Sequence, residues 1–144
     1  MRYHYDVPGD DFSRAGHASS EIKKTLQRLG VPADVIKRTA VAMYEAEINM
    51  VVHAGGGVAD VTIENHAITI VMSDSGPGIA NLDLAMQDGY STAPELVREL
   101  GFGAGMGLPN MRRNSDELSI RTSPGEGTTV TMVIRIPGAQ KDDK

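Results

Sequence analysis

Apolar and polar positions divide the chain into segments with two different periods. Residues 2–7 read as a short strand. From about Asp11 to Leu29, Ala15, Ala18, Ile22, Leu26 and Leu29 recur at helical spacing, with Lys23, Lys24 and Arg28 late and Gly30 as a stop. Pro32 suits a first helical turn and Asp34 complements a helix N-terminal dipole. A second helix is therefore expected from there to about Ala54, ending at Gly55-Gly56-Gly57. Val61 and Ile63, then Ile68, Ile70 and Met72, alternate as two strands joined by a turn near residues 64–66. Residues 79–104 show no long period and are rich in Gly, Ser, Thr and Pro, which reads as a long loop with short helical pieces. A third helix is expected from Gly107 to Asn114. Leu118, Ile120 and Thr122, then Val130, Met132, Ile134 and Ile136, give two more strands around the turn at residues 123–127. Alternating strands covered by helices on one face predict a two-layer α/β sandwich. No internal repeat or linker interrupts it, so residues 1–137 are expected to form one domain, followed by a frayed tail at 138–144.

Composition narrows the setting. The chain has 144 residues, 40% of them hydrophobic and 23% charged, as in a soluble globular domain with a real core. A net charge of −5 argues against a nucleic-acid surface, since little would neutralise a phosphate backbone. No apolar run approaches the ~20 residues that span a bilayer, and the start does not resemble a signal peptide. The absence of cysteine excludes disulfides and thiolate metal sites and fits a reducing cytosol. A cytoplasmic protein without membrane or nucleic-acid partners is the expectation.

Four segments carry candidate chemistry. On the second helix Glu45, Asn49 and His53 fall along one drifting face. An isolated Glu-x-x-x-Asn is most often a solvated helix surface. The other reading gives Asn49 an oxygen for Mg²⁺ and lets Glu45 orient or deprotonate a nucleophile. Asp74 stands where an alternating strand runs out, so it can accept from an exocyclic amine such as that of adenine. Gly76 and Gly78 beside it leave the backbone open to a planar ring, although Asp-Ser-Gly-Pro-Gly is also good turn chemistry. Gly101, Gly103, Gly105 and Gly107 precede a helix, as a hinge or as a cradle of N–H groups for an anion. Their spacing is neither that of a P-loop nor Gly-x-Gly-x-x-Gly. Gly125-Glu-Gly127-Thr128 closes the series.

In this order and separation the four segments resemble the GHKL ATPase superfamily with its Bergerat nucleotide-binding fold. The resemblance runs from the second helix to the last strand, and is best to the anti-sigma-factor serine kinases and related switch kinases. It implies a mixed, mostly antiparallel sheet with helices on one face and a mobile ATP lid. Tyr44 to Ala54 look like the N-box, which implies Glu45 as general base and Asn49 as the Mg²⁺ ligand. Asp74 matches the adenine-reading Asp, with Gly76 and Gly78 as its companions. Ser91 to Arg98 resemble the lid, which implies that Arg98 reaches the terminal phosphate. Gly103, Gly105 and Gly107 match the second glycine box, and Thr128 the Thr that helps hold the adenine edge. The abundance of glycine at 101–107 and the Asp88 to Thr92 segment lean towards the switch kinases.

Within the superfamily a histidine kinase is not expected, since none of the four histidines of these 144 residues sits on a helical hairpin as a phosphoacceptor would, and His53 reads as structural. A gyrase-type machine, which moves further domains, is not the expectation either. What the resemblance then implies is an ATP- and Mg²⁺-dependent serine/threonine kinase acting on a small partner protein, a STAS-domain antagonist being the usual substrate. A sigma factor as a second partner and a homodimer are implied as well, the latter with weak support from a possible edge strand at residues 2–7. Two alternatives stay open: a nucleotide-gated partner-binding module, and a slow ATPase without transfer to protein.

Overall fold

A computed structural model describes residues 1–9, 14–76, 107–123 and 125–138. Among these, the strands β1 (Arg2–Pro8), β2 (Gly56–Ile63), β3 (Ala67–Ser73), β4 (Glu117–Ser123) and β5 (Gly127–Arg135) form one sheet. Three helices accompany it: α1 (His17–Arg28), α2 (Ala33–Ala54) and α3 (Gly107–Asn114). The strand order is β1-β2-β3-β5-β4, and every pairing is antiparallel. The expected mixed sheet is thus wholly antiparallel among the described strands. The arrangement is the two-layer α/β sandwich the patterning predicts.

Period-two alternation sends one side of each strand inward. Ala59 and Val61 from β2, Ile68, Ile70 and Met72 from β3, and Val130, Met132 and Ile134 from β5 are all buried. They meet Ile22 and Leu26 from α1 and Val35, Met43 and Met50 from α2 in one core. Each of the Val, Leu, Ile and Met side chains among them contributes about 1.5–3 kcal/mol by leaving water. Register follows from this packing, because a slip of one residue would turn Ile70 outward and Val71 in.

Helix α2 matches its expected bounds. Its 22 residues give it a length of about 33 Å, enough to cross the sheet and carry widely spaced groups. Pro32, expected in its first turn, stands at the N-cap, and Gly55 closes it in the left-handed region with φ 71°. Helix α1 differs from expectation. It starts at His17 rather than near Asp11, after Gly16 with φ 94°, and Leu29 forms its C-cap with 42% exposure instead of joining the core. Residues 10–13 lie outside the described residues. The early start fails because the apolar period cannot register Gly16, whose left-handed conformation no helix interior accepts.

What holds that start is a carboxylate from another helix. Glu47, 2% exposed on α2, accepts hydrogen bonds from the backbone N–H groups of Gly16 (2.9 Å), Ala18 (3.1 Å) and Ser19 (3.1 Å). No side chain of α1 itself caps the helix. Glu47 therefore satisfies orphan donors of the first turn and adds favourable charge at the positive end of the helix dipole.

Candidate functional site

Glu45 and Asn49 lie half-buried one turn apart on α2, and α3 packs across them. A Cβ on Gly107, the first residue of α3, would lie 3.0 Å from both Oδ1 and Nδ2 of Asn49. A side chain there would press the Asn49 carboxamide aside by a few tenths of an ångström, so glycine allows α3 to begin directly against it. One turn later Asn110 Nδ2 donates to Glu45 Oε2 at 3.1 Å. Leu108, Pro109 and Met111, all buried, hold α3 in this position.

Asp74 follows the end of β3, where β5 locks it. Its backbone N–H donates to the Thr128 carbonyl at 2.9 Å. Its Oδ1 accepts from the N–H groups of Gly76 (3.0 Å) and Thr128 (3.2 Å). The first of these is the short-range Asx bond that makes Asp a turn residue; the second spans 54 positions. Among the described residues Oδ1 takes both donors and Oδ2 neither. The close approach depends on Gly127, whose φ of 91° favours glycine and whose added Cβ would lie 2.2 Å from the Asp74 carbonyl oxygen. Thr128, 9% exposed, pairs its hydroxyl with that of Thr122 at 2.9 Å.

Helix α2 connects the two clusters. A Cβ on Gly76 would lie 2.5 Å from Ala54 Cβ in the last turn of α2, while Glu45 stands nine positions earlier in the sequence. At 1.5 Å rise per residue this separates them by about 13 Å along the axis, which suits an elongated ligand. Of the sequence-derived candidates, Glu45, Asn49 and Gly107 are thus brought together, as are Asp74, Gly76 and Thr128. Gly78, Arg98, Gly103 and Gly105 lie outside the described residues, as does the whole expected lid. His53, in the last turn of α2, has its imidazole pKa held below the ordinary histidine value by burial.

A groove of about 400 Å³ opens between α1 and α2, lined among others by Gly16, Ser19, Lys23, Tyr44 and Glu45 itself. The Tyr44 phenol pKa is raised, first by burial and then by the charges of Glu45 and Glu47. Outside the site, Asp116 joins α2 to the sheet. Its carboxyl pKa is depressed chiefly by the Arg135 backbone N–H at 2.6 Å, and further by Arg38 at 3.2 Å.

Sequence reasoning missed two residues of this region. Asn110 is 65 positions from Glu45, and no spacing rule joins them. Glu47 did leave a signal: it shares the α2 face of Met43 and Val51, both buried, and a carboxylate there requires partners.

An antiparallel sheet with helices on one face carries a Glu/Asn pair on the long helix, a glycine-led helix across it and an anchored Asp after the central strand, and it belongs to the class of two-layer α/β sandwiches. The comparisons with known proteins agree. Residues 11–134 match the histidine kinase-like ATPase domain, and the chain belongs to that family. It is 32% identical to the anti-sigma F factor of Bacillus licheniformis, over 73% of this chain and 73% of that protein. It is also 33% identical to the serine/threonine-protein kinase RsbT of Bacillus subtilis, over 67% and 69% of the two chains. The crystal structure of the RsbU and RsbW domains of Rv1364c from Mycobacterium tuberculosis aligns with 94% of this chain at a TM-score of 0.64 and 17% identity. That likeness concerns the fold alone, and the chain spans 32% of the longer protein.

Proposed function

We propose that this chain is a Mg²⁺- and ATP-dependent serine/threonine kinase of the anti-sigma regulatory type, acting on a small cytoplasmic partner protein. The observation that carries the reading is the placement of Glu45 and Asn49 under the glycine-led start of α3, with Asp74 anchored farther along α2. Relatives named anti-sigma F factor and serine/threonine-protein kinase support it.

Each residue has a distinct task. Asp74 accepts from the exocyclic amine of adenine, and Thr128, which fixes the Asp74 carboxylate, borders the same edge. The Asn49 carboxamide suits Mg²⁺, a hard cation that takes one or two protein oxygens and completes its shell with water and phosphate. When bound, Mg²⁺ neutralises phosphate charge. Phosphoryl transfer through a loose transition state asks the protein mainly for alignment and charge stabilisation. Glu45 then takes the proton of the acceptor hydroxyl, late in the step, because a Ser or Thr hydroxyl is too weak an acid to ionise first. Gly78, Gly103 and Gly105 belong to the nucleotide cradle in this reading, and Arg98 to the terminal phosphate. The partner is a STAS-domain antagonist, a sigma factor is a second partner, and the kinase works as a homodimer.

Two variants separate binding from chemistry. Glu45→Ala is expected to retain Mg-ATP affinity and lose transfer. Asp74→Asn is expected to lose affinity, by about ten- to a hundredfold for a hydrogen bond to a charged group. Equal loss of binding and transfer in Glu45→Ala would remove the base assignment.

A further inference from the structure

The Asn110–Glu45 hydrogen bond links the helix that begins at Gly107 to the carboxylate assigned as base. An ionised carboxylate only accepts hydrogen bonds, so the Asn110 amide must present its NH₂ to Glu45 and its oxygen elsewhere. Arg113 Nη1, an exposed donor 3.4 Å from Asn110 Oδ1, favours the same orientation. Asn114 Nδ2 donates to the Asn110 backbone carbonyl at 2.8 Å, which ties down the main chain. The backbone beneath is fixed by the burial of Pro109 and Met111 on either side.

We infer that Asn110 is a positioning residue for phosphoryl transfer: its amide holds Oε2 of Glu45 so that Oε1 is turned to the acceptor hydroxyl. The inference rests on the reading of Glu45 as base. A free glutamate side chain occupies many rotamers, and fixing it costs up to about 2 kcal/mol. A neutral donor clamped on one oxygen meets that cost before the acceptor arrives, without removing the negative charge that draws the proton. Asn110 also sits three residues after Gly107, which abuts Asn49. One rigid turn of α3 therefore sets Glu45 relative to Asn49, which is the alignment this chemistry demands.

The test measures initial transfer from γ-labelled ATP with Mg²⁺ into the protein band that the wild-type chain labels in an extract of its source. Mg-ATP affinity and the unfolding midpoint are measured in parallel. Asn110→Leu, of similar size but without a donor, should lose about tenfold in transfer rate, a fraction of the 10²–10⁴ that a general base contributes. Asn110→Asp should lose about a hundredfold, because it replaces a donor by a like charge. Mg-ATP affinity should be unchanged in both, and Asn110→Gln, which keeps the amide, should recover most of the rate. Wild-type transfer in Asn110→Asp, or equal losses of transfer and Mg-ATP affinity, would overturn the positioning role while Glu45→Ala still abolished transfer. Should Asn110→Leu unfold, the order of Asn110→Asp against Asn110→Gln decides alone. Full transfer by Glu45→Ala, or no labelled band with the wild-type chain, would overturn the base reading and the inference together.

Discussion

Removing the Glu47 carboxylate should loosen α1 from α2. Glu47→Gln keeps the shape of the side chain but offers one acceptor oxygen where there were two, and turns an NH₂ group towards a backbone donor. In the folded protein Oε2 takes two N–H groups and Oε1 a third, so at least one N–H of the first turn loses its partner. A buried unsatisfied donor costs about 1–3 kcal/mol, and bonds to charged acceptors are worth about 1.5–3 kcal/mol each. These terms overlap, so their sum is an upper bound; the expected loss for Glu47→Gln is about 2–3 kcal/mol, at or above the ~0.5–2 kcal/mol of ordinary cap deletions because this cap is a buried charge with three donors. Glu47→Ala leaves all three N–H groups without their acceptor and adds a cavity, and should cost about 3–5 kcal/mol. Urea unfolding followed by circular dichroism measures both. The midpoint should fall with m unchanged, and a domain of this size should lose about 2–4 °C in Tm per kcal/mol. Glu21→Gln is the control, since its exposed pairing with Lys24 at 3.5 Å is worth at most about 1 kcal/mol. A Glu47→Gln protein as stable as the Glu21→Gln control would refute the capping argument.

Three further outcomes are expected. Gly127→Ala places a Cβ 2.2 Å from the Asp74 carbonyl oxygen at φ 91°; it should cost about 1–3 kcal/mol in chemical denaturation and weaken Mg-ATP binding, whereas wild-type values for both would contradict the described junction. Burial lowers the His53 pKa from 6.5, so as pH falls below 6.5 the unfolded chain binds a proton first and stability declines towards the folded-state pKa. His53→Gln should flatten that decline, and an unchanged pH profile would sink it. Asp116, with its pKa depressed below 3.8, contributes stability present above that value and lost as pH falls through the folded-state pKa. Asp116→Asn should therefore be less stable than the wild-type chain at neutral pH, with the difference shrinking in acid; a constant difference would contradict the ionic part of the contact.

Periodicity made much of the fold legible. The α2 span, the five strands among the described residues and α3 follow from apolar spacing and from glycine or turn residues at their ends. The Glu45/Asn49 pair was equally readable, because residues four apart on a helix share a face. Asp74 could be placed after a strand, but its bond to the Thr128 N–H could not, since that contact depends on β3 pairing with β5. The start of α1 was misplaced for a related reason: a carboxylate 28 to 31 positions away satisfies its first turn. Local rules search for a cap within the helix itself. Asn110 was hidden in the same way, as its role exists only once α3 crosses α2.

Kinase activity is tested by a transfer experiment with Mg²⁺, γ-labelled ATP and an extract of the protein's own source, comparing the wild-type chain with Glu45→Ala. A kinase with Glu45 as base labels one protein on Ser or Thr with the wild-type chain and none with the variant, although the variant still binds Mg-ATP. Binding of Mg-ATP by both proteins with no label in any extract protein would contradict a kinase and identify a nucleotide-gated interaction module instead.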